Sequence, residues 1–186
     1  MRCVVAAVAL ASVATWLAPP SLAAAPTDVE VKAALVFKIA KFVAWPPPVD
    51  ADDDKLTLCH LASREAARAF ATLEGESVGG RTIAVSPVIS DDDASACEVL
   101  FISAGEEPNA AQMLRRVAAR PVLTIGESSA FATRLGGVMT LRTDTRRVRF
   151  EVNLAASRRA GLQINSQLLQ LATIVDEQAI AGGARR

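Results

Sequence analysis

No tyrosine occurs anywhere in the 186 residues, and Phe and Trp together make up only 4% of them. So few rings exclude an aromatic platform on which single-stranded nucleic acid could stack. The chain has a single histidine, His60, and three cysteines, one of them (Cys3) near the amino terminus. No soft-ligand cluster with zinc spacing can be assembled from that stock, and no metal or cofactor site is expected. Neither G-x-G-x-x-G nor G-x-x-x-x-G-K-[ST] is present, which removes the usual glycine-rich routes to nucleotide binding. An excess of one charge is also lacking, with 20 basic residues against 20 acidic. That balance excludes an electrostatic binder of nucleic acid or of an anionic membrane surface. The acidic runs at 49–55 and 91–93 lack the alternating ligands, central Gly and closing Glu of a calcium loop, and read as solvated loop and turn.

What is present begins with a leader. Residues 1–25 combine the charged Arg2, an apolar run and the small-residue stretch SLAAA, the pattern of a cleaved secretory signal peptide. The apolar run breaks at Pro19 and Pro20, before the roughly 20 residues that a membrane span requires. Cys3 stands far from the cleavage region, which argues against a lipoprotein anchor. Residues 26–175 suit a single domain, because two would each have a marginal core, and 176–186 read as a flexible tail. An exported chain then holds an even pair, Cys59 and Cys97, which favours a disulfide over two separate buried thiols. Geometry complicates the pairing. Cys59 falls late in one expected strand and Cys97 just ahead of another, too far apart in register unless the strands are staggered or the chain folds back at Cys97.

The most apolar helical stretch is VEVKAALVFKIAKFVAWP, residues 29–46, with Leu35, Ile39, Phe42 and Val43 on one face and Pro46 to end it. Phe37 projects with Lys41 toward the opposite side, so Phe37, Lys41 and Trp45 are candidates for a dimer or partner surface, against ordinary core. Strands are expected at 55–60, 81–88, 98–103 and 121–125, with helices at 63–75 and 109–119 between them. This alternation predicts an α/β fold: a mixed, largely parallel sheet layered by helices as a three-layer sandwich. Residues 138–142 and 147–152 flank a turn and read as a C-terminal antiparallel hairpin with one apolar face. Asn153 is a candidate cap for a helix over 154–160 closed by Gly161, and Ser166 opens an amphipathic helix SQLLQLATIV.

The nearest approach to catalytic chemistry is Gly126-Glu127-Ser128-Ser129-Ala130, placed after an expected strand like a nucleophile elbow. Such a serine needs a base, normally histidine, and His60 alone is available. The fifth position is Ala130 where an elbow carries Gly, so a serine hydrolase using Ser128 is only a remote alternative. The blander reading has Gly126 turning the chain, a serine capping a short helix through Phe131, and His60 as a satisfied histidine near a strand end.

Several stretches carry a resemblance, in order along the chain: VKAALVFKIAKFVAWP at 31–46, LTLC at 56–59, GGRTIAV at 79–85, CEVLFIS at 97–103, PVLTIGES at 121–128, GGVMTL at 136–141 and the long block 148–175. Together they resemble the YfiR family of small periplasmic proteins. The resemblance implies a periplasmic homodimer, paired Cys59 and Cys97, and a role in restraining an inner-membrane diguanylate cyclase by engaging its periplasmic portion. Loss of that restraint raises cyclic di-GMP and favours biofilm. A second cysteine pair found in some members has no counterpart here, so redox control resting on it does not carry over. The expectation is a non-catalytic regulator, with a periplasmic small-ligand-binding sensory subunit as the alternative.

Overall fold

A computed structural model describes residues 25–47, 54–144 and 147–176. The expected signal peptide, most of the first acidic run and nearly all of the tail lie outside these described residues. The first helix, α1 (Asp28–Ala40), opens with a reciprocal capping box in which Thr27 accepts from the Glu30 amide and Glu30 from the Thr27 amide. It buries Ala33, Val36, Ile39 and Ala40. It stops six residues short of Pro46. Lys41 and Phe42 turn, and β1 (Val43–Ala44) runs antiparallel to β9 (Gln163–Ile164), so a long-range strand pairing overrides the local helical pattern. Phe42, expected on the buried face, is consequently 37% exposed.

The remaining elements follow in chain order as β2 (Lys55–Leu61), α2 (Arg64–Ala71), β3 (Ser77–Val78), β4 (Arg81–Pro87), β5 (Val99–Ile102), α3 (Ala111–Val117), β6 (Leu123–Gly126), β7 (Met139–Asp144), β8 (Arg147–Asn153), α4 (Leu154–Arg159), α5 (Ser166–Leu171) and β10 (Thr173–Val175). Eight strands form one sheet in the order β10-β8-β7-β6-β5-β2-β4-β3. β4, β2, β5, β6 and β7 run parallel, and β8 returns antiparallel beside β7. The fold is thus α/β with a largely parallel sheet and an antiparallel hairpin near its carboxyl terminus.

All residues of β5 and β6 are buried, which is why these strands read as short apolar runs, broken only by Thr124. Two cores result. One lies beneath α1, α2 and α4 and contains Leu56, Leu58, Phe70, Phe101, Leu123 and Ile125. The other lies beneath α3 and contains the cysteines with Leu100, Met113, Leu114 and Phe131. The handedness of parallel crossovers explains the arrangement. β2 connects through α2 to a strand on one side, whereas β5 connects through α3 to the other, so right-handed crossovers put the two helices on opposite faces.

Asn153 caps α4 through its side-chain oxygen, which accepts from Ala156 N at 2.9 Å, and Gly161 takes φ +70°, as the sequence predicts. Two other expectations change. α5 ends at Leu171, and Thr173–Val175 leave the expected helix to pair parallel with Glu151–Asn153, the β-branched residues taking an available sheet edge. The loop after β6 is a series of turns rather than a short helix. Its Phe131 is fully buried between Gly126 and Gly137, whose substituted Cβ atoms would fall 2.1 Å from the ring. Gly137→Ala is therefore expected to cost about 1–3 kcal/mol by overpacking, read from urea unfolding. Combining it with Phe131→Leu should cost less than the sum of the two single changes.

Candidate functional site

The structure pairs Cys59 with Cys97, their Cα atoms 5.8 Å apart. β2 and β5 are in register with Leu58 opposite Val99 and Cys59 opposite Leu100, so a straight extension of β5 would put Cys97 about 10 Å from Cys59. The chain instead reaches β5 from the face of the second core. A 3-10 turn, Asp93–Ala96, folds over that face with Ala94 fully buried and delivers Cys97 onto Cys59. The turn is held by Asp93, whose carboxylate accepts from Ser90 N and Ile89 N, bonds that keep it below the usual carboxylate range.

Phe37, Lys41 and Trp45 gather toward the carboxyl-terminal end of α1. Lys41 Nζ sits 4.0 Å from the centroid of the Phe37 ring, a cation–π contact on an exposed surface. Phe37 and Trp45 are both half-buried against the first core. Trp45 Nε1 donates to Glu98 O at 3.2 Å, and the Glu98 carboxylate accepts from Thr57 N and pairs with Arg81, tying this corner to the sheet. Other exposed apolar residues were not singled out by sequence reasoning: Leu171 at 75%, Ile174 at 46% and Val148 at 39%. They belong to α5, β10 and β8, at the end of the sheet where β10 has a neighbour on one side only. A groove of about 500 Å³ runs beside them, lined by Arg147 to Phe150, Leu171 and Thr173. They were missed because reading 166–175 as one helix hides the edge strand.

Ser128 and His60 do not form a catalytic pair by any contact in the structure. They follow β6 and lie in β2, two strand spacings or about 9.6 Å apart across the sheet. His60 is 7% exposed, stacks on Phe70 with ring centroids 5.9 Å apart, and its Nδ1 has no hydrogen-bond partner, so it is not the satisfied histidine the sequence predicts. Burial pushes its pKa down. The Ser128 amide is occupied: Glu107, itself 3% exposed, accepts from Glu127 N at 2.6 Å and Ser128 N at 2.7 Å.

At the carboxyl ends of β2, β5 and β6 the loops converge on a cavity of about 240 Å³ whose floor includes Phe70 and Phe101 and whose rim includes Lys32, Glu106 and Glu127. Lys32 Nζ bridges Glu127 at 2.5 Å and also pairs with Asp28. Burial alone would lower the Lys32 pKa, but hydrogen bonds and charge from these two carboxylates outweigh it and raise it. In open α/β sheets such a crevice, where neighbouring strands connect in opposite directions, is the preferred place for ligands.

Fold and sites define a disulfide-stapled α/β domain with a crevice at its sheet switch point and an apolar sheet edge. A model of the YfiR/HmsC-like family matches residues 29–173, and the chain belongs to that family, which is known for regulators in a cyclic di-GMP signalling context. No helix among the described residues is long and apolar enough to cross a membrane. The fold is similar to that of a conserved domain protein from Vibrio cholerae O1 biovar El Tor, with 13% identity and a TM-score of 0.51. Some likeness extends to an ABC domain from Streptococcus pneumonia in complex with L-Trp, at 10% identity and a TM-score of 0.48. Either alignment covers 79% of this chain but only 60% of the solved one.

Two outcomes follow from the disulfide and the histidine. Removing the 38-residue cross-link with Cys59→Ser/Cys97→Ser is expected to cost about 4 kcal/mol by denaturant unfolding, in the chain-entropy view. For His60, the folded pKa lies below the unfolded value near 6.5, so the unfolded chain takes up the proton first. Its contribution is complete above about pH 6.5 and is lost as pH falls from there toward the folded pKa. The thermal midpoint should fall between pH 7.5 and 5.5, and His60→Leu should shrink that fall.

Proposed function

We propose that the protein is a non-catalytic periplasmic regulator that binds and restrains the periplasmic portion of an inner-membrane signalling protein, with a diguanylate cyclase as the favoured partner, thereby lowering cyclic di-GMP output. The observation that carries this reading is the family match over residues 29–173. The Cys59–Cys97 disulfide agrees with an oxidising compartment. The exposed apolar side chains of Val148, Leu171 and Ile174, grouped on elements at one end of the sheet, support a contact surface there, and Phe37, Lys41 and Trp45 are candidates for a second one. Restraint needs nothing beyond differential affinity. A regulator that holds one conformation of the sensor segment shifts the cytoplasmic output domain toward the state coupled to it. A homodimer would present this surface twice.

Deleting the gene should raise cellular cyclic di-GMP, and restoring the wild-type chain should lower it again. Leu171→Glu and Ile174→Glu should each fail to restore it while leaving the thermal midpoint of the purified protein nearly unchanged, because both side chains are already exposed. Burying one such side chain is worth about 1.5–3 kcal/mol, so partner affinity should fall at least about tenfold in a pull-down or titration with the isolated sensor segment. Unchanged cyclic di-GMP after deletion would remove the reading.

A further inference from the structure

We propose that the crevice at the carboxyl ends of β2, β5 and β6 binds a small organic cation, an amine carrying a compact apolar or aromatic body. Its location comes from topology. The loops after β2, β5 and β6 and the first turns of α1 meet where neighbouring crossovers diverge, so four segments distant in sequence enclose one space. Its size suits a single ring with a short chain, since about 240 Å³ exceeds the roughly 150 Å³ that admits benzene in an apolar protein cavity.

The chemistry of the lining selects the ligand. The floor is apolar: Phe70 and Phe101 lie with ring centroids 4.6 Å apart, joined by Val29 and Ala66. The rim is acidic. Lys32, its only lining cation, is shared between Asp28 and Glu127, while Glu106 has no cationic side chain in ion-pair distance among the described residues. Two lining carboxylates, Glu106 and Glu127, thus face one ammonium that is itself shared with Asp28 outside the lining, which leaves the rim with a net charge of −1. An anion entering here would meet that excess, and a neutral apolar ligand would strip water from the carboxylates without replacing it. An ammonium group satisfies both conditions. It can sit between Glu106 and Glu127 and accept support from the Ser103 hydroxyl oxygen, with its apolar body on the aromatic floor, where ring faces also attract positive charge. This inference does not depend on the identity of a protein partner, because it is tested on the purified chain alone.

The probes are phenethylamine, its neutral analogue 2-phenylethanol, the anion 3-phenylpropionate and zwitterionic phenylalanine, titrated calorimetrically into the untagged mature protein. Because the chain has one histidine, the ring protons of His60, stacked on the floor residue Phe70, give an independent nuclear magnetic resonance signal of filling. Phenethylamine should bind and shift that signal, with the alcohol at least tenfold weaker and the anion weaker still. Glu106→Gln should weaken the amine about tenfold and leave the alcohol unchanged. Ala104→Trp, at an exposed rim position, should abolish both. Equal affinity across the series, tighter binding of the anion or the zwitterion than of the amine, or no binding at all would overturn the proposal. So would amine binding that survives Ala104→Trp.

Discussion

The parallel pairing of β2 with β5 is the constraint from which most of the molecule follows. Because the chain leaves these neighbours in opposite directions, one crossover helix must cover each face of the sheet. Two cores then form where a one-sided sheet would have one. Strands buried on both sides are apolar on both sides, which is the composition of β5 and, apart from Thr124 with its hydroxyl accepting from Val138 N, of β6. The same divergence opens the crevice at the carboxyl ends of the pair and brings the chain back to β5 over the second core. That return puts Cys97 within bonding distance of Cys59. The covalent staple and the ligand-sized cavity are two results of one topological choice, found on opposite faces of the same two strands.

α1 connects the remaining features. Its amino-terminal turns reach the crevice through Lys32, and its Asp28 carboxylate accepts from the Thr143 hydroxyl at 2.5 Å, which ties the helix to β7. For Asp28, desolvation works against ionisation, but the bonds from Lys32 and Thr143 prevail and hold its pKa down. The other end of the helix carries Phe37 and Lys41 and leads through β1 to β9, hence to α5 and the exposed edge. A single buried stripe of Ala33, Val36, Ile39 and Ala40 fixes the helix between these two places. Ion pairs hold the amino-terminal end of the helix and packing holds its centre, so one element spans from the cavity to Phe37 and Lys41.

Where the sequence could be read depended on how local the controlling interaction was. The strands at 55–61, 81–87, 99–102 and 123–126 announce themselves through short apolar runs, and α4 through an Asn cap and a closing glycine, all within a few residues. The carboxyl end of α1 and the strand β10 were misread for a common reason. Both are set by partners more than twenty residues away, Gln163–Ile164 in one case and Glu151–Asn153 in the other. The β-branched residues of TIV and the residue before Pro46 favour an extended chain, but each signal is too short to be separated from the end of a helix by periodicity. The crevice was illegible for the same reason, since Lys32, Ser63, Glu106 and Glu127 share no spacing in the chain. The resemblance to relatives supplied what periodicity could not, the family to which the chain belongs, and it agreed with the disulfide that the even cysteine pair already favoured.

The loop after β6 shows how far a local pattern can mislead about chemistry. Gly126-Glu127-Ser128 has the strand-to-turn setting of a nucleophile elbow, and in such enzymes backbone amides beside the serine stabilise a developing oxyanion. Here the amides of Glu127 and Ser128 are already engaged by the buried carboxylate of Glu107, delivered by the 3-10 turn Glu107–Asn109 that follows β5. These two amides lock two loops together. The adjoining Glu127 carboxylate, accepting from Ala104 N at 2.8 Å and paired with Lys32, extends the lock to α1. The turn after β6 thus joins the loop after β5 and the first turns of α1 at one corner of the crevice.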